Sequence, residues 1–197
     1  LIATQLYSIG VAQSGSFVLG SGTQDQGIIK STGTVDWTDT GAGNEGGFFI
    51  VDPNNSNNIY TTPWSNDLRR STNGGTAWTD IRSGMTETVG GTTHGPAQVY
   101  HIAVRPGNSN TLIAVGVINS NNSRKIYRST NQGNSWSSAF TLPSAGYRIA
   151  FAPSNSFVCF VGCVDGRVYR SGTAGTSGSW AEPYTAANRP TTNVIAA

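Results

Sequence analysis

An all-β fold made of repeated four-stranded antiparallel units is predicted for this chain by three observations. A turn motif ending in tryptophan recurs along the sequence, strand-like runs keep a fixed order around each copy, and no helical period is present anywhere. The motif is plainest in RRSTNGGTAW (69 to 78) and YRSTNQGNSW (127 to 136). Both read S-T-N-x-G-x-x-W, which sets Ser71, Asn73, Gly75 and Trp78 against Ser129, Asn131, Gly133 and Trp136. Two degenerate copies flank them: IIKSTGTVDW (28 to 37) is one residue shorter between Ser31 and Trp37, and VYRSGTAGTSGSW (168 to 180) is two longer between Ser171 and Trp180. The tryptophans fall 41, 58 and 44 residues apart, a period that suits one four-stranded β-propeller blade per repeat.

The motif has a structural reason to exist. An Asn side chain can accept from backbone amides two residues on, the glycine can take positive φ, and the Trp can cover the turn with a large apolar face. Around each turn the strand-like runs follow in the same order. In the third repeat they are VYHIAVRP (99 to 106), TLIAVGVI (111 to 118), KIYRST (125 to 130) and WSSAFTL (136 to 142), and they are taken here as strands a, b, c and d. Pro53, Pro106 and Pro153 each close an a run, where a missing N–H does little harm. The b runs TLIAVGVI and FVCFVGCV are almost continuously apolar, as expected where neighbouring blades cover both faces. The blades are placed at about 6–40, 48–82, 99–142 and 147–185, with NVIAA (193 to 197) opening a further one. The pattern thus predicts a segment of a larger propeller, completed by the remaining blades of a parent protein or by a second copy.

Composition narrows the partners. Twelve Lys+Arg against ten Asp+Glu leave a formal charge of +2, and charged residues make up only 11%, so no strong field steers the chain toward nucleic acid or an acidic membrane. A polar surface rich in Gly, Ser, Thr and Asn, with two lysines, predicts a secreted or cell-surface protein. Cys159 and Cys163 lie four apart in one extended run, about 13 Å between Cα atoms, too far for a disulfide with each other. They read as small buried apolar residues. No cofactor or metal site is expected: Gly41, Gly43 and Gly46 satisfy G-x-G-x-x-G but run into a strand, and His94 and His101 lack further ligands at metal spacing.

The repeated S-x-N-x-G-x-x-W turns resemble the Asp-boxes, or BNR repeats, of sialidases, of glycoside hydrolase family 74 xyloglucanases and of sortilin-like propellers. The resemblance covers nearly the whole chain. It implies that the boxes are structural c–d turns and that the site lies on the opposite face, built from b–c and d–a loops. Those loops hold Asp25, Glu45, Trp64, Asp67, His94, Asp165 and Arg167, and Arg148 opens an inner strand. Asp25, in GSGTQDQGIIKS, falls where a family 74 catalytic aspartate stands. Glycosidases of the usual kind need a second carboxylate, one protonated and one ionised; Glu45, Asp67 and Asp165 are the candidates, each with a plain turn role as its alternative. Trp64 could stack on a sugar ring. Lys30, Arg70, Arg128 and Arg170 all precede the motif serine, so they are a feature of strand c and not a converging arginine cluster. Two functions are open at this point: a carbohydrate-binding or carbohydrate-cleaving propeller, and a non-catalytic extracellular module for adhesion or protein contact. The 17-residue stretch from Arg82 to Gln98 is longer than a simple connection needs and is expected to serve the site.

Overall fold

A computed structural model describes residues 4–63 and 67–184 of the 197. The chain divides into two compact units, residues 1–81 and 82–197. Among the described residues there is no helix, and antiparallel pairing in simple up-and-down order runs through every sheet.

The first unit holds two four-stranded sheets. In chain order, β1 (Gly10–Val11), β2 (Leu19–Thr23), β3 (Gly27–Ser31) and β4 (Thr38–Asp39) form the first, and β5 (Gly46–Asp52), β6 (Asn55–Pro63), β7 (Arg69–Ser71) and β8 (Thr79–Asp80) the second. The two sheets pack face to face around Val18, Ile28, Ala42, Phe49, Val51 and Ile59. Their approach is unusually close because glycines line it. A Cβ on Gly22 would lie 2.0 Å from the Gly47 carbonyl oxygen, and one on Gly46 would lie 2.6 Å from Gly22 Cα.

The second unit begins with a hairpin, β9 (Glu87–Val89) and β10 (Thr92–His94). A four-stranded sheet follows: β11 (Gln98–Arg105), β12 (Asn108–Ile118), β13 (Ser123–Ser129) and β14 (Ser137–Thr141). The last sheet has three strands among the described residues, β15 (Gly146–Ala152), β16 (Asn155–Cys163) and β17 (Val168–Ser171). Where a fourth strand was expected, Ala181 makes a single bridge to Arg170. The core between these sheets holds Ile113, Val115, Ile126, Ile149, Cys159, Val161, Cys163, Tyr169 and Trp180. Both cysteines are free and buried on one face of β16. Burial pushes the thiols up to about 11 at Cys159 and about 12 at Cys163, so neither is a ready nucleophile.

Two sequence expectations need correction. All of TLIAVGVI is buried, but FVCFVGCV alternates, with Cys159, Val161 and Cys163 inside and Phe157, Phe160 and Val164 exposed. Among the described residues only the face of that strand toward β11–β14 is covered. The tryptophans also differ. Trp136 and Trp180 are buried, whereas Trp78 is half-buried and Trp37 is 41% exposed.

Three of the four repeat turns share one hydrogen-bond arrangement, and its hub is the serine, where the sequence pointed to the asparagine. Ser71 Oγ accepts the N–H of Asn73 at 3.3 Å and of Gly75 at 2.8 Å. Ser129 Oγ does the same for Asn131 at 3.2 Å and Gly133 at 2.9 Å. Ser171 Oγ repeats it for Thr173 at 3.2 Å and Gly175 at 3.0 Å, without any asparagine. Asn73 and Asn131 add a second layer, each Oδ1 accepting the N–H four residues on, Ala77 or Ser135, at 2.9 Å. The reason is reach: the short serine side chain sits at the strand end, where both amides converge on one oxygen.

Candidate functional site

The repeat turns pair with the starts of b strands. The N–H three residues after the motif serine donates to Asn57 O, Asn110 O and Phe157 O in the second, third and fourth repeats. Up-and-down order then sends the b–c turns to the other end of each sheet. In the first unit that end carries Asp25 and Glu45. Asp25 lies at the tip of the turn joining β2 to β3, exposed and left-handed at φ 61°. Two residues on, Gly27 makes a parallel bridge to half-buried Glu45. A Cβ on Gly27 would come within 2.1 Å of Gly43 O and 3.5 Å of Asp39 Oδ1. The corner therefore brings Asp25, Asp39 and Glu45 around one glycine, and Asp39 had no place in the sequence-derived set.

The other b–c aspartates are engaged with arginines two residues on. Asp67 lies 3.7 Å from Arg69, whose Nη1 also donates to Ala42 O at 2.7 Å. Asp165 pairs with Arg167 at 3.1 Å and accepts its backbone N–H at 3.2 Å. Both pairs hold their own turns together, and Arg167 is less free to receive an anion than its position suggested. Asp25 has Gly27 at the corresponding place, and among the described residues its carboxylate takes no ion pair. Trp64 lies outside the described residues.

In the second unit the long connection is the hairpin β9–β10, closed by Gly90 and Gly91 at φ 57° and 81°. The sequence ETVGGTTH carried that signal, since a Gly-Gly pair between β-branched residues favours a two-residue turn. What the sequence did not reveal is its anchor. Glu87 Oε1 lies 2.6 Å from Lys125 Nζ, and Oε2 accepts from Asn121 Nδ2 at 2.9 Å. Hydrogen bonds from Lys125 and Ser123 hold the Glu87 carboxyl down at about 2. His94 Nδ1 is 3.0 Å from Ser120 Oγ, so this histidine ties the hairpin to the β12–β13 turn. Arg148 stacks on Tyr147, with its Cζ 4.4 Å from the ring centroid, and donates to the Tyr147 carbonyl at 3.1 Å.

His101, on β11, is the perturbed base of this unit. Its Nδ1 accepts the Ile149 N–H at 3.4 Å, and burial, with the Arg148 charge added, lowers its pKa to about 4. The fold therefore prefers neutral imidazole. Stability contributed by this preference is fully present above the unfolded value of about 6.5 and is lost as pH falls from there through about 4, on the order of 3 kcal/mol in all. Urea denaturation of the wild type at pH 7, 5.5 and 4.5 is expected to show that decline, and His101→Gln is expected to flatten it. Glu87 titrates in a separate, lower window, between the ordinary carboxylate range and about 2.

These observations define a class before any likeness is considered: antiparallel four-stranded sheets packed face to face, with structural turns at one end and variable loops at the other, which is β-propeller architecture. No protein-family model and no curated protein sequence matches the chain. Solved structures do. An ancestral GH74 enzyme superposes with a TM-score of 0.72 at 24% identity, over 92% of this chain and 24% of that one. The GH74 xyloglucanase from Xanthomonas campestris gives 0.60 at 15% identity, over 85% and 28%. A chain of the nidogen/laminin complex gives 0.64 at 12% identity, over 89% and 63%. The chain is thus a β-propeller by fold, and it spans about a quarter of the length of the GH74 enzymes it resembles.

Proposed function

We propose that this chain is a segment of a secreted propeller that binds carbohydrate at its b–c and d–a loops. The observation that carries this reading is the corner around Gly27, where Asp25, free of the arginine that ties up Asp67 and Asp165, stands beside the loop of Glu45. Carboxylates at an exposed corner offer acceptors to sugar hydroxyls, and two in proximity are the elements from which glycoside cleavage is built. The likeness to GH74 enzymes supports the sugar class. Asp25 stands exposed at the turn tip, where a sugar chain can reach its carboxylate.

Xyloglucan is the probe of choice. Isothermal titration is expected to detect binding that Asp25→Asn weakens about tenfold, the size of one lost charged hydrogen bond, with unchanged thermal stability. Release of reducing ends by the wild type, abolished in Asp25→Asn, would establish a hydrolase. Absence of binding to xyloglucan and to other neutral glycans would favour the second reading, an adhesion or protein-contact module, which the nidogen/laminin likeness supports.

A further inference from the structure

The hairpin β9–β10 meets the β12–β13 turn with one of its two faces. Glu87 and His94 stand opposite each other across the hairpin, and two residues further out Val89 stands opposite Thr92. Side chains two apart on a strand share a face, so these four belong together. Thr88 and Thr93 lie on the other face, their hydroxyls 3.2 Å apart. The inner pair is engaged: Glu87 holds Lys125 and Asn121, and His94 holds Ser120. The outer pair is uncovered. Val89 is 54% exposed and Thr92 is exposed, although their face is the one turned toward the β12–β13 turn. A notch therefore lies between the outer half of the hairpin and the tip of that turn, where Asn122 is exposed at φ 55°.

Val89 gives this notch an apolar wall. Thr92 and Asn122 supply a hydroxyl and an amide at its rim, and His94 supplies an imidazole edge. The ring is oriented by Ser120 through Nδ1, and its Nε2 makes no hydrogen bond among the described residues. The one carboxylate of the hairpin, Glu87, is matched by the buried Lys125, so the notch presents no charge of its own. An apolar patch with a few oriented, uncharged hydrogen-bonding groups suits a sugar ring, whose C–H face packs on the wall while its hydroxyls meet the polar groups. The notch is also built before any ligand arrives. The Glu87–Lys125 ion pair and the His94–Ser120 bond join the two loops into one piece, so little ordering remains to be done on binding.

We propose that this notch is a subsite for an uncharged sugar residue of a glycan chain. Val89, Thr92, His94 and Asn122 contact the sugar, and Glu87, Lys125 and Ser120 are positioning residues. The subsite rests on the reading of the loop end as a carbohydrate surface, to which it adds the contact residues of the second unit and the neutral class of the sugar.

The test is titration of the full 197-residue chain with xyloglucan oligosaccharides, followed by calorimetry and by NMR of the histidine rings. The chain has two histidines, so His101 on β11 serves as the internal reference. The His94 ring signal is expected to shift on titration and the His101 signal to stay. Val89→Asp and His94→Ala are each expected to weaken binding about tenfold at unchanged thermal stability, the size of one lost polar contact or buried apolar group. The double variant Glu87→Gln with Lys125→Met, which frees the hairpin without leaving a buried charge, is expected to weaken binding and to speed hydrogen exchange of the hairpin amides together. A His94 signal that stays fixed while Asp25→Asn still weakens binding would overturn the subsite and leave the carbohydrate reading standing. A wild type that binds no xyloglucan would overturn both, and tighter binding of polygalacturonate than of xyloglucan would overturn the neutral class.

Discussion

Gly22→Ala is expected to destabilise the first unit by about 3 kcal/mol or more, the upper range for overpacking a core. The obstacle is backbone: the new methyl would stand 2.0 Å from Gly47 O and 2.7 Å from Gly46 C, and no rotamer change can remove a main chain. Relief requires moving β2 away from β5, which opens the Phe49 core behind it. Gly22 has no left-handed backbone, so the whole effect is steric. Gly41→Ala provides the contrast. Its φ is 69° and open space surrounds it, so only left-handed strain of about 1 to 2 kcal/mol is expected. Guanidinium denaturation of both variants distinguishes the two mechanisms by size.

Trp136→Ala is expected to cost about 3 to 5 kcal/mol, the range for deleting a large buried aromatic side chain. The ring is 5% exposed, and the segment that leads into β14 is held by the Trp136 N–H donating to Ser83 O at 2.9 Å. Gly84 packs against the same backbone, where a Cβ would meet Trp136 O at 2.2 Å. Trp37→Ala, at an exposed copy of the motif, should cost far less. Thermal denaturation of the two variants at one low concentration measures the difference.

Much of this architecture was readable from residue order. The third repeat's four runs correspond to β11, β12, β13 and β14 within a few residues, because the b and c runs are bounded by polar Asn-rich and Gly-rich turns that cannot continue a strand. Alternation failed where both sides of a strand are apolar. FVCFVGCV looks like a doubly covered strand, yet among the described residues only the face of Cys159, Val161 and Cys163 is covered. The turn chemistry was assigned to asparagine for a similar reason: Ser71 and Asn73 are both capable acceptors, and only the strand geometry shows which oxygen the two amides reach.

The candidate site divides along the same line. The position of Asp25 at a b–c turn was legible because that turn is local: three residues between β2 and β3, closed by Gly27. Glu87 was not, since its partner Lys125 lies 38 residues away and neither residue stands in a motif. The strand-c cations were recognised as a repeat feature, but only the structure shows Lys30 donating to the Gly74 carbonyl and Arg128 to the Ala174 carbonyl, 44 and 46 residues away.

By itself the sequence determined the all-β class, the repeat, the strand order and the turns, since these follow from interactions among residues close in the chain. Tertiary structure alone decided which faces are covered, how near the glycine-lined sheets approach, and which charges meet. Those outcomes depend on packing between segments tens of residues apart, for which local pattern contains no distance information.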